Sequence, residues 1–279
     1  MTGSYVLRVS CPDAKGLVAR VSAALFEADL NIVENGEFVD PDSGRFFMRT
    51  EFTGAFDEKA LREELLRRLP PAAELRLDPR RRKRLVVLAT REGHCLGDLL
   101  VRCADGELPA EIVAVLANHP TLGGLVQGFG VPFQAIPHEG LTREEHEQRL
   151  LAGLEGLPFD LIVLAKYMRV LSSAFVARHA GRMINIHHSF LPAFVGANPY
   201  RQAYARGVKI IGATAHFVTD QLDEGPILTQ DVLPVRHHDS PADMALAGRD
   251  IEKIVLARAL RLVIEDRVFV DGRRTVIFD

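Results

Sequence analysis

DLIVLAKY, residues 160–167, is an almost unbroken apolar run. A strand of that kind is buried on both faces, which is the habit of parallel sheets covered by helices. Working outward, RLVVLAT (84–90) and EIVAVLAN (111–118) have the same character, and PFQAIP (132–137) predicts a further strand. Helical patterns separate them, over 95–105 and over 142–155, the second with acidic residues in its first turn. A long helix is expected over 241–266, and RRTVIF near the C-terminus adds a short strand. Strands alternating with helices predict a doubly wound, mostly parallel α/β domain, with boundaries set at 81–279.

The rhythm before residue 80 is different. YVLRVS (5–10) is rich in strand formers, and Pro12, Asp13 and Gly16 make a turn. Gly16 has two readings, a residue that permits a tight turn and a place where a ligand approaches the backbone. From Leu17 the apolar residues Leu17, Val18, Val21, Ala24, Leu25 and Ala28 recur at helical spacing. NIVENGEFV and RFFMRTEF flank a PDSG turn, a helix covers 57–69 until Pro70-Pro71 stops it, and 74–77 is a last strand. The order βαββαβ predicts a ferredoxin-like domain over 1–80. DPRRRKR (78–84) is basic, but its flanks lack interleaved aromatics, so it is expected to be a solvated linker.

Composition narrows the function classes. The 279 residues are 47% apolar and 25% charged, with 34 Lys and Arg against 37 Asp and Glu, a net charge of −3. That balance gives no footprint for nucleic acid or an acidic membrane surface. Cys11, Cys95 and Cys103 form no C-x-x-C pair and are too few for a disulfide framework. MTGSYVLRVS lacks the apolar core of a signal peptide, and no run reaches the length of a bilayer span, so a cytoplasmic protein is expected. TLGGLVQGFG fits no G-x-G-x-x-G and is not expected to lead from a strand into a helix; no P-loop or G-x-S-x-G occurs.

The densest polar information lies in residues 183–231. MINIHH predicts a strand ending in Asn185, His187 and His188, with Asn185 and His187 on one face by alternation. After the strand IIGATAHFV comes TDQLDEGPI, with Asp220, Asp223 and Glu224. An amide, an imidazole and a carboxylate suit attack on a carbonyl: Asn185 donates to a developing oxyanion, His187 polarises or shuttles a proton, and Asp223 orients the imidazole or takes a proton from water. Plainer readings exist. A histidine on a strand is often a satisfied core residue, and Asp223 serves equally as a turn residue. His187-His188 and His237-His238 raise the question of zinc, but adjacent strand residues point opposite ways, and no H-E-x-x-H or cysteine cluster supports a metal, so none is expected.

The segment N-I-H-H-S-F-L-P-A-F followed by D-E-G-P-I resembles the folate-dependent formyltransferase superfamily, and LAKYMRVLS (164–172) is similar to that superfamily's folate loop. Residues 5–77 resemble an ACT domain. An ACT module ahead of a formyltransferase-like domain resembles the deformylase branch of the superfamily. The resemblance implies hydrolysis of 10-formyltetrahydrofolate, as substrate and not cofactor, to tetrahydrofolate and formate, which supplies purine synthesis and balances the one-carbon pool. It implies Asn185, His187 and Asp223 as catalytic residues and Met168, Arg169, Val170 and Leu171 as the folate loop. It also implies a homo-oligomer, with an amino acid as candidate effector of the ACT module. Relatives that formylate glycinamide ribonucleotide hold its phosphate in a loop of small residues; here that place reads TREGHCLGD (90–98), and Arg91 and Glu92 keep backbone amides from wrapping a phosphate. Asn198 in GANPY stands where a basic residue is expected. The rivals are transfer to an amine acceptor, a non-catalytic folate or amino-acid sensor, and a metal-dependent amidohydrolase.

Overall fold

The largely buried run SYVLRVSCP makes strand β1, Ser4–Pro12, which pairs on both sides. The computed structural model describes residues 3–193 and 199–279. Gly16 takes φ 82°, a left-handed turn residue that caps helix α1, Leu17–Glu27, and a Cβ there would meet open space. Strands β2 (Asn31–Asp40) and β3 (Arg45–Thr53) form a hairpin whose turn is tied by Asp40, accepting from the Asp42 amide at 3.0 Å and the Ser43 hydroxyl at 3.1 Å. Helix α2, Glu58–Arg68, is capped by Asp57, which accepts from the Ala60 amide at 2.9 Å. Strand β4, Glu74–Pro79, completes an antiparallel sheet of order β2-β3-β1-β4. Leu17, Val21 and Leu25 of α1 and Leu61 and Leu65 of α2 pack with Leu7, Val9, Met48 and Phe52 in one core, so both helices cover one face. This is the ferredoxin-like plan.

Only Arg80, Arg81 and Arg82 separate β4 from β5, Lys83–Ala89. The run 78–84 is thus two strand ends joined by the exposed Arg80, Arg81 and Arg82, a short solvated linker as expected, and the division between the two units falls within it. Arg80 reaches Glu51 at 3.4 Å, and Arg82 donates to the Ala110 carbonyl at 2.8 Å, because guanidinium groups beside strand ends find acceptors there.

The second unit continues with α3 (His94–Ala104), β6 (Ala110–Ala117), a 3-10 turn at Pro120–Leu122, α4 (Gly123–Gln127) and β7 (Phe133–Ala135). TLGGLVQGFG thus does lead from a strand into a short helix, contrary to the expectation from sequence. Gly123 is buried against the Phe133 ring, where a Cβ would stand 3.2 Å away. Next come α5 (Arg143–Leu154), with a reciprocal Thr142–Glu145 capping box, β8 (Leu161–Ala165), α6 (Ser173–Arg178), β9 (Met183–His187), α7 (Pro199–Arg206), β10 (Ile210–Phe217), β11 (Ile227–Pro234) and α8 (Pro241–Ile264). The sheet order is β11-β10-β9-β8-β5-β6-β7, with β7, β6, β5, β8 and β9 parallel and β10 and β11 antiparallel. All five residues of β8 are buried, which is why its sequence is uniformly apolar. The chain leaves β5 first to one side and then to the other, so the switch point lies at β5 and β8. Helix α8 packs on β10, β11 and α3.

Strands β12 (Val268–Asp271) and β13 (Arg274–Ile277) close the chain as a hairpin. Segments Glu265–Phe269 and Val276–Asp279 group with the first unit, whereas the sequence reading places all of 81–279 in the second. The reason is local: Arg49 on β3 donates to the Glu265 carbonyl at 3.1 Å, Arg267 pairs with Glu34 at 3.2 Å, and Phe47 stacks edge-on against Phe269 at 5.5 Å. Among the described residues, no helix is long and apolar enough to cross a membrane.

Candidate active site

Ligands of open α/β sheets gather beyond the strand carboxyl ends at the switch point. A cavity of about 290 Å³ lies there, lined by the loop after β8, the end of β9, and the segment after β10. Asn185 and His187 of β9 both line it, as does His188; so do Met168, Arg169, Val170 and Leu171, and Asp223.

His187 is buried, and its Nδ1 lies 3.3 Å from Asp223 Oδ2. Nδ1–H therefore donates to the carboxylate, which fixes the ring's orientation. Nε2 of His187 is buried and has no protein partner among the described residues. An imidazole nitrogen desolvated in a cavity wall is an open hydrogen-bonding position. Burial pushes the Asp223 carboxyl up, but the His187 hydrogen bond and the nearby imidazoles outweigh it and hold the group below its ordinary range. Asp223 is thus a carboxylate at neutral pH. Its backbone has φ 57°, a left-handed conformation that Asp and Asn tolerate better than most residues.

His216 joins the site and was not singled out from sequence. It lies on β10 directly opposite Asn185 of β9. Burial lowers its pKa first of all, and its Nδ1–H donates to the Phe217 carbonyl at 2.9 Å. The ring is therefore neutral with a lone pair on Nε2, and Asn185 must present an N–H there, at 3.3 Å. This settles which way the amide points. The 3.7 Å between His216 Nε2 and Asp223 Oδ1 is then not an ion pair. The available signal was a histidine in the otherwise apolar IIGATAHFV, a polar group that a buried strand must satisfy.

The loop 166–172 is pinned at both ends. Thr90 accepts from the Met168 amide at 3.0 Å, and buried Glu147 of α5 accepts from the Ser172 amide at 2.6 Å and from its hydroxyl. Ser172 in turn caps α6. Between the pins, Met168 and Val170 are exposed, apolar and beside the cavity.

Behind the cavity wall lies a second polar group that sequence reasoning missed. Glu252 of α8 is 1% exposed and accepts from His94 Nε2 at 2.7 Å and the Tyr200 hydroxyl at 2.9 Å, with Lys166 Nζ at 3.2 Å. His94, Cys95 and Glu252 are close enough to suggest a metal site. The Lys166 ammonium already stands beside the carboxylate, so the donor set does not fit a cation. Cys95 is buried, which drives its thiol far above the ordinary range and away from the thiolate a metal would need. Asn198 lies outside the described residues.

The family model for formyl transferase matches residues 83–260, and the ACT domain model matches residues 5–69. A formyltetrahydrofolate deformylase of Escherichia coli (strain K12) is 56% identical over 272 residues, covering 98% of this chain and 97% of its own length. The chain belongs to the formyltetrahydrofolate deformylase family. The crystal structure of a deformylase from Pseudomonas syringae pv. tomato superposes with a TM-score of 0.94 at 42% identity, covering 100% of this chain and 95% of that one. A glycinamide ribonucleotide transformylase from Symbiobacterium toebii matches less, with a TM-score of 0.68 at 32% identity over 71% of this chain and 95% of its own. The deformylase relatives thus cover nearly the whole chain, and the transformylase 71% of it. Membership makes this chain a hydrolase.

Proposed function

We propose that this chain hydrolyses 10-formyltetrahydrofolate to tetrahydrofolate and formate. The observation that carries the reading is the buried His187 Nε2, without a partner among the described residues, on a ring held by Asp223 in the cavity that Asn185 also lines. The deformylase relatives supply the substrate class. The apolar Met168, Val170 and Leu171 suit the flat ring system of a folate, whose formyl group would then reach Asn185 and His187.

Water attacks the formyl carbon, and charge develops on its oxygen. The second N–H of Asn185, not used by His216, and His187 Nε2–H hold that oxyanion. Donors fixed in a desolvated site need no reorganisation, which is the source of their effect. Asp223 keeps His187 in the orientation that aims Nε2 at the oxygen and offsets an imidazolium charge. On this reading Met168, Arg169, Val170 and Leu171 bind the folate, and Asn185, His187 and Asp223 carry the chemistry.

Transfer to an amine acceptor is disfavoured by the segment after β5. Glu92 lies 3.7 Å from His94 and 3.5 Å from Arg249, so charged side chains occupy the place where small residues would expose amides to a phosphate. We further propose that no cofactor or metal is required, that the ACT module takes an amino acid, that the chain assembles with itself in the cytoplasm, and that the formate released feeds purine synthesis. The deciding experiment incubates the purified protein with 10-formyltetrahydrofolate and no acceptor. Steady formate release, unchanged by a chelator, supports the proposal. Turnover only after glycinamide ribonucleotide is added would mean transfer, and binding without turnover would mean a sensor.

A further inference from the structure

His188 follows His187 at the end of β9, and its ring lies 5.0 Å from the His187 ring. Although the two are adjacent on a strand end, both line the same cavity. The charged and titratable groups around His188 come from four elements. Lys166 follows β8, His187 precedes it on β9, Asp223 follows β10, and Glu252 projects from α8. Tyr200 of α7 adds a ring at 6.2 Å and binds Glu252 through its hydroxyl. Lys166 is 5% exposed and has φ 59°, a left-handed backbone that a lysine rarely adopts, and its side chain joins both the cavity wall and buried Glu252. Such an outlier, held by surrounding contacts, points to a task.

Resting on the hydrolase reading above, we propose that His188 carries the proton from the attacking water to the leaving nitrogen, and that the buried Lys166–Glu252 pair positions it for that step. The oxygen pair of water forms the new C–O bond while the carbonyl π pair moves onto the formyl oxygen, and a water proton passes to His188. The C=O bond then re-forms as the C–N bond breaks, and the proton passes from His188 to the departing nitrogen. The products are tetrahydrofolate and formic acid, which ionises to formate. The departing nitrogen is attached to an aromatic ring and is weakly basic, so it calls for a strong acid. Burial, then the Lys166 ammonium and His187, hold His188 down to about 4, against the pull of Glu252 and Asp223. Its protonated form is correspondingly acidic, which suits that leaving group. Glu252 is itself held to about 2: burial would raise it, but the His94 hydrogen bond, the Lys166 and His94 charges and the Tyr200 hydroxyl prevail.

The test measures formate release from 10-formyltetrahydrofolate against pH, with tetrahydrofolate affinity measured separately. His188→Gln keeps hydrogen-bonding capacity but carries no proton. Its kcat is expected to fall about 10²–10⁴-fold with affinity retained. Lys166→Met removes the cation and leaves Glu252 facing His188, so the acid limb of the kcat profile should move up by about one pH unit or more. Glu252→Gln removes the anion, and its acid limb should not move up. Opposite behaviour in the two variants is something a packing role would not produce. A normal kcat in His188→Gln, or an unmoved limb in Lys166→Met, overturns the inference while leaving hydrolysis standing. A wild-type protein that releases no formate overturns the hydrolase reading, and this inference with it.

Discussion

Asn185 is asked to do two things at once. One amide N–H satisfies His216 Nε2, and the other is left for a substrate oxygen. Asn185→Ala removes both. Loss of one oxyanion donor costs about 10²–10³ in kcat, so that fall is expected, with tetrahydrofolate affinity nearly unchanged. A raised KM at normal kcat would assign the residue to binding instead. Asp223→Asn tests the charge separately, because Asn shares the tolerance for φ 57° and can fill the same turn. Only the carboxylate offsets a charge that develops on His187 during the reaction, so kcat should fall at least about tenfold with tetrahydrofolate affinity retained. Near-normal kcat would reduce Asp223 to a turn residue.

Elements carry these residues to one another, and small backbone facts decide whether they arrive. Gly225 sits in the turn after Asp223, and a Cβ there would run into the Phe217 carbonyl. The Phe217 amide donates to the Pro226 carbonyl at 2.9 Å, so the turn is clamped onto the end of β10. Gly225→Ala should push the turn off that strand and draw Asp223 away from His187. A misplacement of about 1 Å can cost about 10²-fold in rate, so a loss of that order is expected in formate release, with the circular dichroism spectrum unchanged. Helix α8 contributes Glu252, whose carboxyl is lowered from its ordinary 4.5 to about 2. A depressed carboxyl stabilises the fold above its unfolded pKa, and the contribution disappears as pH falls through the folded value. The shift corresponds to stability on the order of 3 kcal/mol. Urea midpoints of the wild type should therefore drop between pH 5 and pH 2, while Glu252→Gln should start lower at pH 7 and drop less. Parallel curves for the two proteins would contradict the assignment.

At the scale of the whole chain, the C-terminal segments Glu265–Phe269 and Val276–Asp279 matter to the first unit. Arg49 is 2% exposed and is held by Glu34 at 2.8 Å, Glu51 at 3.4 Å and the Glu265 carbonyl. Removing one partner of a buried ionic group costs about 3–5 kcal/mol, and Arg49→Met should fall at the lower end because Glu34 still reaches water. Urea unfolding at pH 7 measures this, and a loss below about 1 kcal/mol would mean that the network contributes little. The same contacts bear on where the chain can be divided. Residues 82–279 alone would leave Phe269 and Arg267 without Phe47 and Glu34.

Much of this architecture is written locally. DLIVLAKY, RLVVLAT and EIVAVLAN specify buried parallel strands because strands covered on both faces need apolar residues at every position, and the period change at Leu17 marks a helix. Asn185 and His187 were legible as one-face neighbours because strand periodicity is fixed by backbone stereochemistry. Tertiary structure alone decided the rest. His216 meets Asn185 only through the β9–β10 register, and Glu252 finds His94, Tyr200 and Lys166 across sequence separations of 158, 52 and 86 residues. The C-terminal segments likewise join the first unit through contacts to Arg49 and Glu34 that no local pattern encodes. Propensity and periodicity act over a few residues, whereas a buried charge takes whatever partner the completed fold brings within reach, because leaving it unpaired costs several kilocalories per mole.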